Sequence, residues 1–147
     1  MEKTLERVCV DDILEFDEVW SYVRCKKQQR WLWTVISRKT RQIIAYVIGD
    51  RSLKTFKKLI RKISSCYLSL PSFSDFWECY KTLESKGNHQ CVGKETGETC
   101  HMERWNCTLR QRISRYVRKT LSFSKKDSYH HIHTRLFIQE YNLTLRK

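Results

Sequence analysis

Three apolar segments in the first third of the chain have the composition of β-strands. They cover residues 11–23, 29–37 and 41–50 and are rich in β-branched and aromatic side chains, which favour an extended backbone. The connector between the second and third segments, Arg-Lys-Thr, is short and polar, which predicts an antiparallel pair. Both of these segments are apolar at consecutive positions, so we expect them in a sheet that is covered on both sides.

The hydrophobic period changes after residue 50. Over residues 51–64 apolar side chains recur every three or four positions, with lysines and arginines between them, which predicts an amphipathic helix. Ser52 stands where this helix needs an N-cap. Asp50 ends the preceding strand, and a role in the same cap is the simplest interpretation of its carboxylate.

Shorter elements are expected in the middle of the chain. Residues 65–75 predict a fourth strand, which Pro71 restricts to a sheet edge or interrupts, because proline donates no ladder hydrogen bond. A short helix follows over residues 75–85, ended by Gly87. Residues 89–94 predict a short fifth strand.

A long basic helix is predicted over residues 99–121, with a length of roughly 30 Å. Its apolar stripe consists of Met102, Trp105, Leu109, Ile113 and Tyr116. A last helix is predicted over residues 128–145. The order of three strands, helix, strand, helix, strand and two helices predicts a single α/β domain over residues 1–147, with a mixed five-stranded sheet flanked by helices.

The positive charge of the chain is large and unevenly distributed. The net charge is +13, and residues 21–63 contain thirteen basic side chains but one acidic side chain, Asp50. Residues 104–147 contain eleven basic and two acidic side chains. Such a surface attracts a polyanion, most often nucleic acid, by releasing condensed counterions. A merely soluble basic protein is the weaker alternative, because Trp and Tyr are interleaved with the positive runs.

The seven cysteines have irregular spacing, with no Cys-x-x-Cys pair that would indicate a zinc ribbon. An odd count without a signal peptide indicates reduced thiols and a cytoplasmic protein. Cys100, His101 and Cys107 could approach one another on a helix, but a fourth zinc ligand at usable spacing is missing. No apolar run approaches the roughly 20 residues that a membrane-spanning helix needs, so we expect no membrane partner.

Three carboxylates that are distant in sequence are candidates for one metal site. Asp17 lies in the first strand, Asp75 follows the fourth strand, and Glu103 stands near the start of the long basic helix. If the first and fourth strands are neighbours, Asp17 and Asp75 lie side by side, and Glu103 can approach from the helix above the sheet. Clustered carboxylates repel one another unless a cation neutralises them, and oxygen ligands favour Mg²⁺ or Mn²⁺.

Two such ions, about 3.5–4 Å apart, can act together on a phosphodiester. The basic side of the helix would then bind the backbone phosphates of DNA. The alternative for Glu103 is a surface ion pair along the helix, but its neighbours three and four positions on, Asn106 and Cys107, carry no positive charge. The candidate DNA-binding side chains are Arg104, Asn106, Arg110, Arg112, Arg115, Arg118 and Lys119.

Several stretches resemble the catalytic part of bacterial insertion sequence 1 family transposases. They include "DEVWSYV", "SDFWECY" and "HMERWNCTLRQRISRYVRKTLSFSK", of which the last is the most specific. The resemblance extends over residues 14–124 and more weakly to residue 142. It implies a ribonuclease H-like fold and a catalytic Asp-Asp-Glu triad, which falls on Asp17, Asp75 and Glu103 of this sequence.

The activity implied by the resemblance is metal-dependent cleavage of DNA at the ends of an insertion sequence, followed by attack of the freed 3′-hydroxyl on target DNA. Mg²⁺ or Mn²⁺ would be the cofactor, with two ions in the site. Asn106 and Arg110 match the motif around Glu103, where they would steady a metal ligand or a DNA phosphate.

The sequence also departs from the pattern of the family. Pro71 stands in the fourth strand, and Arg135 occupies a position that is usually apolar. The amino-terminal zinc-binding and helix-turn-helix region that recognises element ends is not present in these residues. An alternative hypothesis is therefore a catalytically inactive, truncated transposase that acts only as a basic DNA-binding protein. Fusion to an upstream DNA-binding frame, a homo-oligomer on DNA and a structure-selective nuclease of the same fold stay open.

Two groups of residues have both a functional and a simpler interpretation. Four tryptophans could stack on unpaired bases, but filling a core is the simpler role; they are Trp20, Trp31, Trp33 and Trp77. Three histidines resemble a metal cluster, but a solvated helix face is the simpler interpretation; they are His130, His131 and His133.

Overall fold

A computed structural model describes residues 4–85 and 87–146 of the chain. Within these residues the chain forms five strands and five α-helices, joined in part by single 3₁₀ turns. The strands are β1 (Leu14–Tyr22), β2 (Gln29–Ser37), β3 (Ile43–Gly49), β4 (Ser72–Ser74) and β5 (His89–Cys91). The helices are α1 (Leu53–Arg61), α2 (Ser65–Leu68), α3 (Lys81–Glu84), α4 (Cys100–Arg112) and α5 (Asp127–Thr144).

The five strands form one mixed sheet in the order β3-β2-β1-β4-β5. β2 pairs antiparallel with both β1 and β3, whereas β1 pairs parallel with β4, and β4 with β5. The predicted antiparallel pair and the predicted α/β class with a mixed five-stranded sheet are therefore confirmed. β1 and β4 are direct neighbours, in the register that places Glu15 opposite Phe73.

Apolar side chains cover both faces of the sheet, as the continuous apolar character of β2 and β3 predicted. On one face Phe16 and Trp33 pack with Phe56 of α1 and Tyr80. On the other face a second cluster joins the sheet to α4 and α5; it contains Val19, Leu32, Ile36, Ile43, Met102, Trp105, Leu109, Tyr116 and Ile138. The sheet is thus the middle of three layers.

The start of α1 confirms the predicted N-cap, Ser52, and shows a different role for Asp50. The hydroxyl of Ser52 accepts a hydrogen bond from the backbone N–H of Thr55 at 3.3 Å, so Ser52 is the N-cap. Asp50 does not cap the helix itself. Its carboxylate accepts hydrogen bonds from the hydroxyls of Ser52 and Thr55 and so fixes the capping side chain.

The prediction of a strand over residues 65–75 is wrong for its first half. Residues 65–68 form α2, and β4 begins only after Pro71. A turn of helix places Tyr67 and Leu70, three positions apart, on the same side, where both are buried, whereas an extended segment would point them to opposite faces. β4 is not at a sheet edge. Pro71 is accommodated because its carbonyl accepts from Leu14 N at 2.9 Å and no N–H is needed there.

The basic helix is shorter than predicted. α4 ends at Arg112, and Ile113 has the extended conformation, with φ −119° and ψ 102°. The chain then makes a 3₁₀ turn that buries Tyr116, whose hydroxyl is 2.6 Å from the hydroxyl of Thr134 on α5. Packing against α5 therefore overrides local helix preference. Three of the candidate DNA-binding side chains lie beyond the helix; they are Arg115, Arg118 and Lys119.

α5 confirms the predicted last helix but corrects one interpretation of its histidines. His131 and His133 are exposed, as a solvated face requires. His130 is fully buried, and its ring lies between the hydroxyls of Ser21 and Ser124 at 3.0 and 2.8 Å.

In the part of the chain that the structure describes, no helix combines the length and the apolar character needed to cross a membrane.

Candidate functional site

A cavity of about 460 Å³ lies between the open edge of β1 and the first half of α4. The edge is open because β1 pairs with β4 only at Leu14 and Glu15, and β4 ends at Ser74. The charged and amide side chains that line the cavity are Asp17, Glu18, Arg51, Asp75, Lys94, Glu103, Asn106, Arg110 and Arg118.

Three carboxylates converge at the floor of this cavity. One carboxylate oxygen each of Asp17, Glu18 and Asp75 lies within 4.8 Å of the others. Asp17 and Asp75 meet because β1 and β4 are parallel neighbours, as the sequence predicted. Glu18 belongs to the opposite face of β1, but here the strand pairs only with β2 and its other edge is open, so side chains from both faces reach that edge.

Asp17 is held by two hydrogen bonds. Its Oδ2 accepts from Asn106 Nδ2 at 2.6 Å, and its Oδ1 accepts from the backbone N–H of Glu18 at 2.8 Å. Burial, together with the negative charges of Glu18 and Asp75, nevertheless raises the pKa of Asp17 to about 7. An ionised carboxylate at this buried position destabilises the folded chain at neutral pH unless a positive charge compensates it.

Asp75 and Glu103 reach the cavity from two other elements, the turn after β4 and the start of α4. Asp75 begins the turn after β4, and its Oδ1 accepts from the backbone N–H of Trp77 at 2.9 Å. Glu103 is exposed in the first turn of α4 and makes no ion pair within residues 4–85 and 87–146. The structure therefore brings Asp17 and Asp75 together and places Glu103 at the same cavity, outside the close group of three carboxylates.

One stripe of α4 faces the cavity. Glu103, Asn106 and Arg110 recur at the spacing of helical turns, and all three line the cavity wall. Two buried polar atoms of this stripe, Asn106 Oδ1 and Arg110 Nε, have no hydrogen-bond partner among the described residues. Buried polar groups are normally paired, so these two atoms indicate that a ligand completes the site.

Sequence reasoning missed an arginine clamp beside the carboxylates. Arg51 donates to Glu18 Oε1 from Nε and Nη2, at 3.0 and 2.6 Å, and its guanidinium lies between the rings of Trp31 and Trp77, 4.5 and 3.7 Å from their centroids. Tyr80 donates to the other oxygen of Glu18 at 2.5 Å.

The clamp joins β1, β2, the start of α1 and the turn that carries Asp75. It also changes the interpretation of two tryptophans, since Trp31 and Trp77 hold an arginine, whereas Trp33 fills the core. The one indication of this clamp in the sequence is the Asp-Glu pair at positions 17 and 18. Its meaning depends on Arg51, which contacts both Glu18 and Trp77 only in the folded chain.

The candidate DNA-binding residues are divided among several surfaces. Arg110 and Arg118 line the carboxylate cavity, together with Lys94 and Arg51, which were not predicted. Arg104 lines a separate cavity of about 140 Å³ beside Trp105. Arg112 and Arg115 line a groove along α5, and Lys119 is exposed after the 3₁₀ turn.

The chain matches the family described as "IS1 transposase" over residues 8–144. It is 37% identical over 116 residues to the insertion element IS1 protein InsB of Shigella flexneri, an alignment that covers 79% of this chain and 86% of that protein. It is 36% identical over 129 residues to the insertion element iso-IS1n protein InsB of Shigella dysenteriae, covering 88% of this chain and 95% of that protein.

A third relative is the insertion element IS1 4 protein InsB of Escherichia coli strain K12, which is 35% identical over 116 residues, or 79% of this chain and 67% of that protein. The family match over residues 8–144 includes the strands and helices that form the carboxylate cavity. The chain belongs to the IS1 transposase family.

Proposed function

We propose that this chain is the catalytic domain of a DNA transposase of the Asp-Asp-Glu type, which cleaves DNA at the ends of an insertion sequence and joins the freed 3′ ends to target DNA. The observation that carries the proposal is the meeting of Asp17 and Asp75 at a cavity that Glu103 also lines. The sheet order, in which only β2 runs antiparallel to the other strands, supports the ribonuclease H-like fold of such enzymes.

The residues of the cavity fit Mg²⁺ or Mn²⁺. The ligands on offer are carboxylate oxygens, which these hard cations prefer, and burial beside the carboxylates of Glu18 and Asp75 raises the pKa of Asp17, a cost that a bound cation would relieve. When bound, two such ions would activate a hydroxyl nucleophile and stabilise the leaving oxygen of a phosphodiester. Asp17, Asp75 and Glu103 would hold them.

The other residues of the site would position these ligands and the DNA. Asn106 fixes one oxygen of Asp17 through its 2.6 Å hydrogen bond. The clamp of Glu18 and Arg51 keeps the turn of Asp75 against β1. The side chains of Arg110 and Arg118, which line the cavity, would donate to DNA phosphates at its mouth.

Asp75→Asn and Glu103→Gln should each reduce DNA cleavage and strand transfer by about 10³-fold or more, because each removes a charge that would hold the metal. The assay is cleavage of a duplex that carries an element end, in Mg²⁺ or Mn²⁺, followed by joining to a target duplex. Glu78→Gln is the matched control, since Glu78 is an exposed acid close to Asp75 in sequence but does not line the cavity. Normal activity of either cavity variant would remove that residue from the proposed site.

The same assay separates the alternatives. A wild-type chain that binds DNA but yields no product over a range of metal and salt would favour an inactive DNA-binding protein. Hydrolysis without joining would favour a nuclease. The hypothesis of an inactive protein is based partly on Pro71. This residue lies outside the β4 ladder and its carbonyl hydrogen-bonds to β1, so it does not interrupt the strand.

Arg110→Gln and Arg118→Gln should weaken the binding of duplex DNA and lower its salt dependence, because each removes one phosphate contact and the counterion it displaces. We expect the slope of log K against log salt to fall by about 1 for each variant. Fluorescence anisotropy between low and moderate salt measures this slope. Lys81→Gln, on the exposed side of α3, should behave as wild type. An affinity that does not change with salt would contradict the proposed phosphate contacts.

A further inference from the structure

The outer face of α5 carries an apolar stripe that nothing in the described chain covers. Tyr129, Ile132, Leu136 and Leu143 are 53%, 50%, 57% and 51% exposed. At 3.6 residues per turn these four positions lie within about 60° of one another around the helix axis. They point away from the opposite, buried face, which consists of His130, Thr134, Ile138 and Asn142.

The spacing of the stripe is that of a coiled-coil seam. Tyr129, Leu136 and Leu143 are seven residues apart and occupy one core position of the heptad, and Ile132 occupies the other. Gln139 is the next residue at the second core position. A helix that buries one face in its own domain does not need a second apolar seam on the opposite face.

Two unpaired charges flank the stripe on opposite sides. Arg135 and Glu140 are exposed and form no ion pair within residues 4–85 and 87–146. Neither has an oppositely charged residue three or four positions away, and side chains five apart do not meet on one helix. A separation of five residues is instead the distance between the two charged positions that pair across a parallel two-stranded coiled coil.

We propose that the outer face of α5 binds a second copy of this chain, with the two α5 helices packed in parallel about a two-fold axis. Each apolar residue of the stripe then meets its own counterpart, with Leu136 at the centre. Arg135 pairs with the partner's Glu140, and symmetry repeats this pair. In an antiparallel arrangement Arg135 would face another arginine.

The chemistry of the surface disfavours other occupants. A helix that lies on an anionic membrane or on nucleic acid carries several lysines or arginines beside its contact face. Within α5, one arginine and one glutamate flank the stripe and can pair with those of a second copy, whereas the two arginines that share a groove with Leu136 and Glu140, Arg112 and Arg115, belong to the segment before α5. The stripe spans 14 residues, or about 21 Å of helix. A contact of this length buries less surface than the roughly 800 Å² per partner of a standard interface, so we expect the dimer to dissociate in the micromolar range.

Sedimentation velocity over a concentration series tests the proposal, using the whole chain without DNA or divalent metal. We expect the wild type to pass from monomer to dimer as its concentration rises. Leu136→Glu should stay monomeric throughout, because two buried carboxylates would face each other. Leu121→Glu is the matched control, since Leu121 is 96% exposed but lies outside α5, and it should dimerise as wild type does. Circular dichroism should show both variants folded, because neither side chain is buried.

A charge exchange tests the register. Arg135→Glu and Glu140→Arg should each weaken the dimer about tenfold, because both symmetric pairs become repulsive. The double variant should recover the wild-type affinity. Only the parallel arrangement predicts both the loss in each single variant and this recovery, because in an antiparallel pair like charges would face each other in all of these variants. A wild type that stays monomeric, a Leu136→Glu variant that still dimerises, or a double variant without recovery would each overturn the proposal. The measurement contains no DNA, so its outcome is independent of the proposed transposase activity.

Discussion

We expect Asp17→Asn to abolish DNA cleavage and strand transfer while making the metal-free protein more stable. The loss of activity, about 10³-fold or more, follows from removal of the charge that would hold the metal. The gain in stability follows from the same charge, because Asp17 sits where burial and the carboxylates of Glu18 and Asp75 raise its pKa to about 7. Sites arranged for function are often destabilising in this way.

The asparagine can take over the hydrogen bonds of Asp17. Its Oδ1 can accept from the backbone N–H of Glu18, as the carboxylate does at 2.8 Å. Its amide can donate to Asn106 if the Asn106 side chain turns by half a rotation and presents Oδ1, the atom that has no partner among the described residues. The substitution therefore removes a charge without leaving an additional polar atom unsatisfied.

The sign of the pH dependence follows from the direction of the shift. The folded chain holds the proton of Asp17 more tightly than the unfolded chain, whose carboxyl has a pKa near 3.8. Raising the pH from 4 to 7 therefore costs the wild type stability that the variant keeps. At pH 8 the difference in the free energy of unfolding should reach about 2 to 4 kcal/mol in favour of Asp17→Asn.

Urea unfolding at pH 5 and pH 8, in EDTA, measures this difference. Mg²⁺ added at pH 8 should stabilise the wild type and have little effect on the variant, because it binds the ionised cluster. Glu78→Gln again serves as the control. A variant that is less stable than wild type at pH 8, or that still cleaves DNA, would contradict this account of Asp17.

Local sequence patterns predicted the strands and helices whose conformation is favoured by the residues within them. The alternation and composition of β1, β2 and β3 and the period of α1 and α5 correspond to the observed elements to within a few residues. The meeting of Asp17 and Asp75 also followed from the sequence, because it needed one assumption, the pairing of β1 with β4, which the structure confirms.

Contacts between segments that are distant in sequence determine the features that local patterns did not predict. The long helix breaks after Arg112 because Tyr116 is buried against α5, although no residue near the break is a strong helix breaker. Glu18 lies next to Asp17 in β1, so its side chain belongs to the opposite face of the strand. Its contribution to the site arises because β4 is short and because Arg51 and two tryptophans enclose its carboxylate.

Two buried histidines form matching bridges elsewhere in the fold. The ring of His89 lies 2.8 and 2.9 Å from the hydroxyls of Ser72 and Ser74, and joins β5 to β4. The ring of His130 makes the corresponding contacts with Ser124 and Ser21, and joins α5 to β1. Burial lowers the pKa of each histidine to about 4. Both rings are therefore neutral in the folded chain at neutral pH.

We expect these histidines to make the protein sensitive to mild acid. An unfolded histidine has a pKa near 6.5, so the unfolded chain binds two protons that the folded chain rejects between pH 6.5 and pH 4. The stability that the two neutral rings contribute is complete above pH 6.5 and is lost as the pH falls toward 4, by about 3 kcal/mol for each histidine. Burial raises the pKa of three carboxyl groups, Glu15, Asp17 and Glu18, which act in the opposite direction, so the histidine contribution is measured by comparing variants with the wild type.

The slope of the unfolding free energy against pH distinguishes the individual groups, because each proton contributes about 1.4 kcal/mol per pH unit. His130→Asn keeps an amide that can bond to a serine but does not titrate, so the slope measured by urea unfolding between pH 4.5 and 6 should fall by about one proton. Ser128→Asn places the same amide at an exposed position of α5, removes no titratable group and should leave the slope unchanged. Equal slopes for His130→Asn and the wild type would mean that the buried ring accepts a proton in the folded chain, and that the two serine hydroxyls do not hold it neutral.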